Sequence, residues 1–592
     1  MSAFALEASS VVDELRRFVH AEFTCQREAF ARRMTRSPAE RVKRGTCLDG
    51  LTFEGMENGR AVFRHGGNDS RLRESDLVLL RRRADGDAVE GREAVIYREE
   101  GDRIWLAREN GFRPEPDGGG PWMIDEAFLD LESFYLDGLD RLPRTEIGRE
   151  RILPLLTGRA EPGLHEEAYG RAYRDLEPSA RPWEDMQREA IAGSVSADHV
   201  YLVQGPPGTG KTRVLAEVVK RLVGEGRRVL VTSFTHRAID HALGMVAREV
   251  ADREAVGRFG AAVHRRDEAF DRFEFFSESP LGKREGSSGW VAGATPFALR
   301  RRLAGVEFDT IVFDEASQMT TPLAILAMLT GRSYLFFGDQ QQLGPVVVSR
   351  SRRDSGEAGI FQALQAREIP GTRLNVTYRL NDTLARWPGE SFYHGDLSSA
   401  SAVAGSRLRR VPVAGVPDWQ REALDPEKPL IWLRFAGREG RTDNDEESGA
   451  AAELIRLLVS RGMRPEEIAV VTPYRRQARR VRRRLETLEP GRSWAGCMVD
   501  TVERMQGQER EVILVSFSAA QPGFVQDQAE FFFDPRRLNV SVTRARTKLI
   551  LLASESLLEL DPEDPDLEEE VALFRSLLVA AVEVAHPGTH SS

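Results

Sequence analysis

Lys211 and Thr212 close the run Gly205-Pro206-Pro207-Gly208-Thr209-Gly210-Lys211-Thr212, a spacing suited to holding the phosphates of a nucleotide. Glycines at these steps let successive backbone N–H groups converge on phosphate oxygens. The Lys211 ammonium can reach β- and γ-phosphates, and the Thr212 hydroxyl can ligate Mg²⁺. An apolar run, Tyr201-Leu-Val-Gln204, precedes the loop as a strand, and Arg213–Val223 follows as a helix closed by Gly224 and Gly226. Strand, glycine loop and helix form the context a phosphate cradle needs, and the helix N-terminus adds partial positive charge.

Two further stretches carry partner chemistry. Phe313-Asp314-Glu315-Ala316-Ser317 ends an apolar run. Asp314 there can hold Mg²⁺ beside Thr212, and Glu315 can act as the base that polarises an attacking water. Gly338-Asp339-Gln340-Gln341-Gln342 ends the next apolar run, and Gln342 is positioned to sense a γ-phosphate or orient the water. Alternatively, these amides cap a turn.

The order and wording of these stretches resemble superfamily 1 helicases of the up-frameshift branch, which includes senataxin-type helicases and the replication helicase–nuclease. The resemblance covers about residues 183–555, with at least seven motifs in order. It implies that Gln187, in Trp183-Glu-Asp-Met-Gln187, reads adenine, and that Tyr378 and Arg379, in Asn375-Val-Thr-Tyr-Arg-Leu380, stack on the base and reach the γ-phosphate. Arg544, in Arg536-Arg-Leu-Asn-Val-Ser-Val-Thr-Arg544, matches the second arginine finger. Gln506 and Glu509, in Met505-Gln-Gly-Gln-Glu509, would lie near the ribose and triphosphate. Thr235, Thr295 and Thr501 match segments that touch a nucleic-acid backbone, and Thr472 and Tyr474 lie at a strand end beside a basic helix. The family commonly has Asn where His236 stands and Met where Leu380 stands. The implied activity is an ATP- and Mg²⁺-dependent helicase or translocase moving 5′→3′ on single-stranded DNA or RNA. A translocase that strips bound protein, and a nucleic-acid-gated ATPase switch that recruits an effector, remain open on the same residues.

These groups need rigid elements to position them. Alternating apolar runs and helical patterns predict an α/β chain of two tandem RecA-like, doubly wound parallel-sheet domains. The first is expected at 181–350, with a polar insertion about 252–288, and the second at 351–560. Residues 1–180 read as a helical stalk carrying a small β-barrel at about 46–112, and 561–592 as an acidic tail with a short helix. Helical patterning over 146–180 breaks at Pro154, Pro162 and Pro178.

The net charge of −10 argues against a general nucleic-acid coat but leaves room for a basic groove. Three cysteines exclude a four-cysteine metal or iron–sulfur site and weigh against a disulfide framework as an organising device. The chain shows no membrane-length apolar run and no secretory start, so a cytoplasmic location without membrane contact is expected. It also shows no nuclease carboxylate pattern, so any nuclease or effector activity in its system is expected on a separate partner.

Overall fold

The computed structural model describes the chain except residues 1–2, 69, 75, 83–90, 109–120, 177–181, 261–268, 285–287, 350–358, 410–414, 495, 561, 563 and 589–592. Two parallel sheets and one closed barrel organise it. The first sheet has eight strands in the order Asp271–Phe273, Val256–Phe259, Trp290–Gly293, Arg228–Thr232, Phe308–Phe313, Gly331–Gly338, Val200–Gln204 and Gly371–Arg373. The second has six: Met498–Thr501, Ile468–Thr472, Arg510–Ser516, Ala545–Ser554, Leu430–Phe435 and Val582–Ala585.

The central strands are apolar on both faces because helices cover both. All five residues of Val200–Gln204 and of Ile468–Thr472 are buried. Parallel pairing sets every strand's C-terminal end on one edge of its sheet. Tyr334–Gly338 runs in register with Val200–Gln204, and Thr310–Phe313 with Val229–Thr232. The phosphate loop, the Asp314-Glu315 pair and the Asp339–Gln342 turn therefore emerge side by side, at the edge where open α/β sheets hold ligands.

The N-terminal helix Ala3–Met34 buries Val12, Leu15, Phe18, Val19 and Phe23 in the core of the first lobe. It leads into a barrel of antiparallel neighbours: Cys47–Glu57, Arg60–Arg64, Arg103–Ala107, Arg92–Glu100, Leu77–Arg82 and Trp122–Glu126. Among the described residues no helix is long and apolar enough to cross a membrane.

Four boundaries differ from the sequence expectation. The barrel does not end near 112: Trp122–Glu126 pairs with both Cys47–Glu57 and Leu77–Arg82 and closes it. The stretch 252–288 is more than an insertion, because Val256–Phe259 and Asp271–Phe273 extend the first sheet at its edge. The first lobe runs past 350: Ile360, Phe361 and Leu364 sit in its core and Gly371–Arg373 pairs with Val200–Gln204. The tail is part of the second lobe. Helix Pro565–Ala580 buries Val571, Phe574, Leu577 and Leu578 in that core, and Val582–Ala585 adds a strand beside Leu430–Phe435. The expected breaks at 180/181 and 350/351, the residue 561 that opens the tail, and Pro178 lie outside the described residues.

Phe574 is 1% exposed, with its ring 5.0 Å from Phe517 and 5.2 Å from Phe533. Phe574→Ala is expected to cost about 3–5 kcal/mol in chemical unfolding of the second lobe. A solvated tail would lose almost nothing.

Candidate nucleotide site between the two lobes

Strand Val200–Gln204 hands the chain to the glycine loop and then to helix Lys211–Gly224. Gly208 and Gly210 take φ of +75° and +81°, the left-handed region that side chains resist. A Cβ on Gly208 would stand 2.4 Å from the Arg379 Cβ and 2.6 Å from the Thr377 Oγ1, both on the second lobe's side of the cleft. The loop is thus in backbone contact across the seam: the Tyr378 amide donates to the Gly208 carbonyl at 2.8 Å, and the Thr377 hydroxyl to the Pro207 carbonyl at 2.8 Å.

Lys211 Nζ lies 2.9 Å from Glu315 Oε1 and 3.8 Å from Asp314 Oδ1. Burial pulls the ammonium down, but the two carboxylates more than offset it and its pKa is raised. Burial pushes Asp314 up against the pull of Lys211. Glu315 is held down, because direct contact with Lys211 outweighs its own burial. Glu315 takes φ +51°, an unusual conformation for a non-glycine residue and one concentrated at functional sites.

The second lobe brings both arginines. Arg544 is buried, donating through Nη2 to Gln342 Oε1 at 3.0 Å and through Nε to the Val540 carbonyl at 2.9 Å. Burial, with Arg379 nearby, lowers it to about 9, and Glu315 opposes that shift. Arg379 pairs with Glu509 and donates to the Thr543 carbonyl at 3.1 Å. Burial alone would raise Glu509; Arg379 and Arg546 instead hold it at about 2. Gln506 Nε2 reaches Glu315 Oε2 at 3.5 Å. Lys211, Asp314, Glu315 and Gln342 from one lobe and Arg379, Arg544, Gln506 and Glu509 from the other therefore share one cleft.

Mg²⁺ favours oxygen donors, few carboxylates and substrate phosphates. The Thr212 hydroxyl and the Asp314 carboxylate provide that chemistry. The adjoining segments also bury hydroxyls of Thr232, Ser233 and Ser317 that have no hydrogen-bond partner among the described residues. The residues fit the ion.

Some expected residues are placed differently. Gln187 is 2% exposed and both ends of its amide serve the protein: Nε2 donates to the Thr209 carbonyl at 2.9 Å, and Oε1 accepts from the Glu184 amide at 3.4 Å. It sits in a capping box, and its amide braces the phosphate loop. Tyr378 is 39% exposed, its hydroxyl donating to Glu184 at 2.9 Å, and keeps a ring face available. Thr235 is exposed and caps helix His236–Glu249. Thr295, Thr472 and Thr501 are buried, and Tyr474 packs between Phe524 and Phe531. Of the five expected backbone contacts, Thr235 is exposed, Tyr474 half-buried and the other three buried. Sequence reading overlooked Tyr393 and Asn539, which enter this cleft from the second lobe. Neither lies in a stretch that chemistry alone singles out, although Asn539 falls inside the matched run before Arg544.

Fold and site together define a two-lobed P-loop nucleotide-binding fold. Two family models, each described as an AAA domain, match residues 182–265 with 292–350, and 357–556. The chain belongs to the superfamily 1 helicases of the up-frameshift branch. The Arabidopsis thaliana DNA replication ATP-dependent helicase/nuclease JHS1 is 28% identical over 393 residues, 64% of this chain and 28% of that protein. The Mus musculus helicase/nuclease DNA2 is 30% identical over 404 residues, 64% of this chain and 37% of that protein. The chain thus spans well under half the length of these relatives. The solved arterivirus nonstructural protein 10 (helicase) superposes with a TM-score of 0.38 at 14% identity, over 88% of this chain and 78% of that one.

Gly208→Ala forces a side chain into left-handed backbone and against Arg379, and is expected to weaken binding of a fluorescent ATP analogue by about tenfold or more. Gly224→Ala, with nothing within 4 Å of the added carbon, is the matched control and should bind like the wild type.

Proposed function

We propose that this protein is an ATP-driven motor on single-stranded nucleic acid, a helicase or translocase that hydrolyses ATP in the cleft between its lobes. The observation carrying this reading is the convergence of Lys211 and Glu315 with Arg544, which bonds Gln342 across the seam. With ATP bound, Lys211 leaves its carboxylate partner for the β- and γ-phosphates. Glu315, ionised, then takes the proton of the attacking water. Mg²⁺ held by Thr212 and Asp314 would neutralise phosphate charge. Arg379 and Arg544 answer the charge that develops on the transferring group. Cleavage removes the group that both lobes hold, and the equilibrium shifts toward an open cleft.

A polyanion partner is supported by a second cleft. Ser70, Arg71 and Arg73 of the barrel face Arg475, Arg479, Arg482, Arg504 and Asp500 of the second lobe. Burial lowers Arg73 and Arg475, and the nearness of Arg504 lowers each further. Asp500, Asp76, Glu99 and Glu126 offset part of this charge, and the remaining excess of guanidiniums favours a phosphate chain. This concentrates basic charge in a chain whose net charge is −10. The substrate that fits is a single strand, DNA by analogy with the helicase/nuclease relatives, with movement 5′→3′ as in this branch.

ATP hydrolysis should rise on addition of single-stranded oligonucleotide, and overhang substrates of both polarities report the direction. Lys211→Ala and Glu315→Gln should abolish turnover, with Glu315→Gln still binding ATP. Arg544→Ala should lower kcat by about 10³-fold or more. Turnover indifferent to every oligonucleotide would defeat the motor reading, and displacement of streptavidin without strand separation would favour a translocase.

In fluorescence anisotropy, Arg475→Ala/Arg504→Ala is expected to flatten the log Kd against log salt slope by about 0.7 for each phosphate that the variant no longer neutralises. An unchanged slope would remove the cleft from the path of the strand.

A further inference from the structure

The Asp339–Gln342 turn is fastened to the second lobe at three points. Tyr393 donates its hydroxyl to Asp339 Oδ2 at 2.8 Å. Asn539 Nδ2 donates to the Gln341 carbonyl at 2.8 Å and also to the Tyr393 oxygen at 2.8 Å. Arg544 Nη2 donates to Gln342 Oε1 at 3.0 Å, and Gln342 Nε2 donates to Asp339 Oδ2 at 2.9 Å. The chain of bonds Asn539, Tyr393, Asp339, Gln342, Arg544 thus starts and ends in the second lobe and passes through the first lobe's sensor turn.

We propose that Tyr393 is a positioning residue for γ-phosphate cleavage, its hydroxyl fixing Asp339 and through it the orientation of Gln342 toward Arg544. This rests on the reading that ATP is cleaved in this cleft. Tyr393 is 1% exposed at the end of helix Asp382–Phe392, with its ring in the second lobe's core. Packing alone would be met by a phenylalanine; the hydroxyl is committed to both lobes. Asp339 is also 1% exposed and forms no ion pair with a described residue. Its carboxylate is oriented by neutral donors, namely Tyr393, Gln342, the Gln341 amide at 3.2 Å and Gln204 Nε2 at 3.4 Å. Gln204 ends the strand that leads into the phosphate loop, so the same carboxylate touches the cradle's base. Removing one donor leaves Asp339 free to turn, and Gln342 then loses its fixed partner. The sensor is correctly set only when the second lobe is docked, which makes closure and competence one event.

The test is Tyr393→Phe in the full chain, with steady-state ATPase at saturating single-stranded DNA. We expect kcat to fall about tenfold while KM for ATP and the affinity for a fluorescent ATP analogue stay within about twofold. The unfolding midpoint should stay close to the wild type. The double variant Tyr393→Phe/Gln342→Ala should be no slower than Gln342→Ala alone, because both act through the same amide. A wild-type kcat in Tyr393→Phe, strictly additive losses in the double variant, or a kcat loss that tracks a lowered unfolding midpoint would overturn the proposal. Wild-type hydrolysis is measured first; its absence would defeat the proposed activity itself and this inference with it.

Discussion

The pairing of Lys211 with Glu315 and Asp314, deep in the seam, is the constraint to which the rest of the molecule answers. Charges taken out of water are costly unless each meets a partner in good geometry. Here an ammonium, two carboxylates and the Arg544 guanidinium lie within one narrow region, and none is stable there alone. No single sheet could supply them all. The carboxylates and the ammonium leave neighbouring strand ends of the first sheet, while Arg544 arrives on the turn before strand Ala545–Ser554 of the second. The first sheet presents its C-terminal strand ends, which parallel order puts on the same side, and the second sheet meets them with the turns that precede strands Arg510–Ser516 and Ala545–Ser554.

That arrangement makes the seam sensitive to small movements. The phosphate loop is already in backbone contact with Thr377 and Tyr378, so its glycines serve two purposes. They open the loop to phosphate, and they admit the second lobe to within touching distance. Glu509 has a related part. By pairing with Arg379 and Arg546 it holds cationic side chains in an anionic environment until a phosphate competes for them.

Residues at strand ends were legible in the sequence because their chemistry and their local context coincide: a glycine loop between strand and helix, an acidic pair after an apolar run. The long buried strands were legible for the same reason. What escaped was whatever depends on distant partners. Trp290–Gly293 and Met498–Thr501 are only four residues each, too short for periodicity to speak, and they become strands because neighbours are waiting to pair. The short C-terminal helix was legible, but its burial in the second lobe was masked by its acidic start, although Val571, Phe574 and Leu578 recur at helical spacing. Tyr393 reads as an ordinary core aromatic, and only the tertiary position of Asp339 gives its hydroxyl a purpose. Thr472 and Thr501 match a pattern yet are buried, since a motif fixes identity and register but not exposure.

The basic cleft and the nucleotide cleft lie on the same mechanical boundary. The barrel is joined to the first lobe: helix Ala3–Met34 is embedded in that lobe's core, and Arg41 anchors the barrel through a buried pair with Asp125 at 2.8 Å. Arg475, Arg482 and Arg504 belong to the second lobe. A strand lying between them would therefore be held by one wall from each side of the seam. The stalk is also tied to the segment that follows Gln342, because Glu22 accepts from the amides of Val348 at 2.9 Å and Ser349 at 2.8 Å. Any movement that separates Arg544 from Gln342 must then also change the distance between the arginines of the barrel and those of the second lobe. Under the proposed function this is how chemistry reaches the strand: the lobes cannot release phosphate without altering their grip, since both clefts are bounded by the same two bodies.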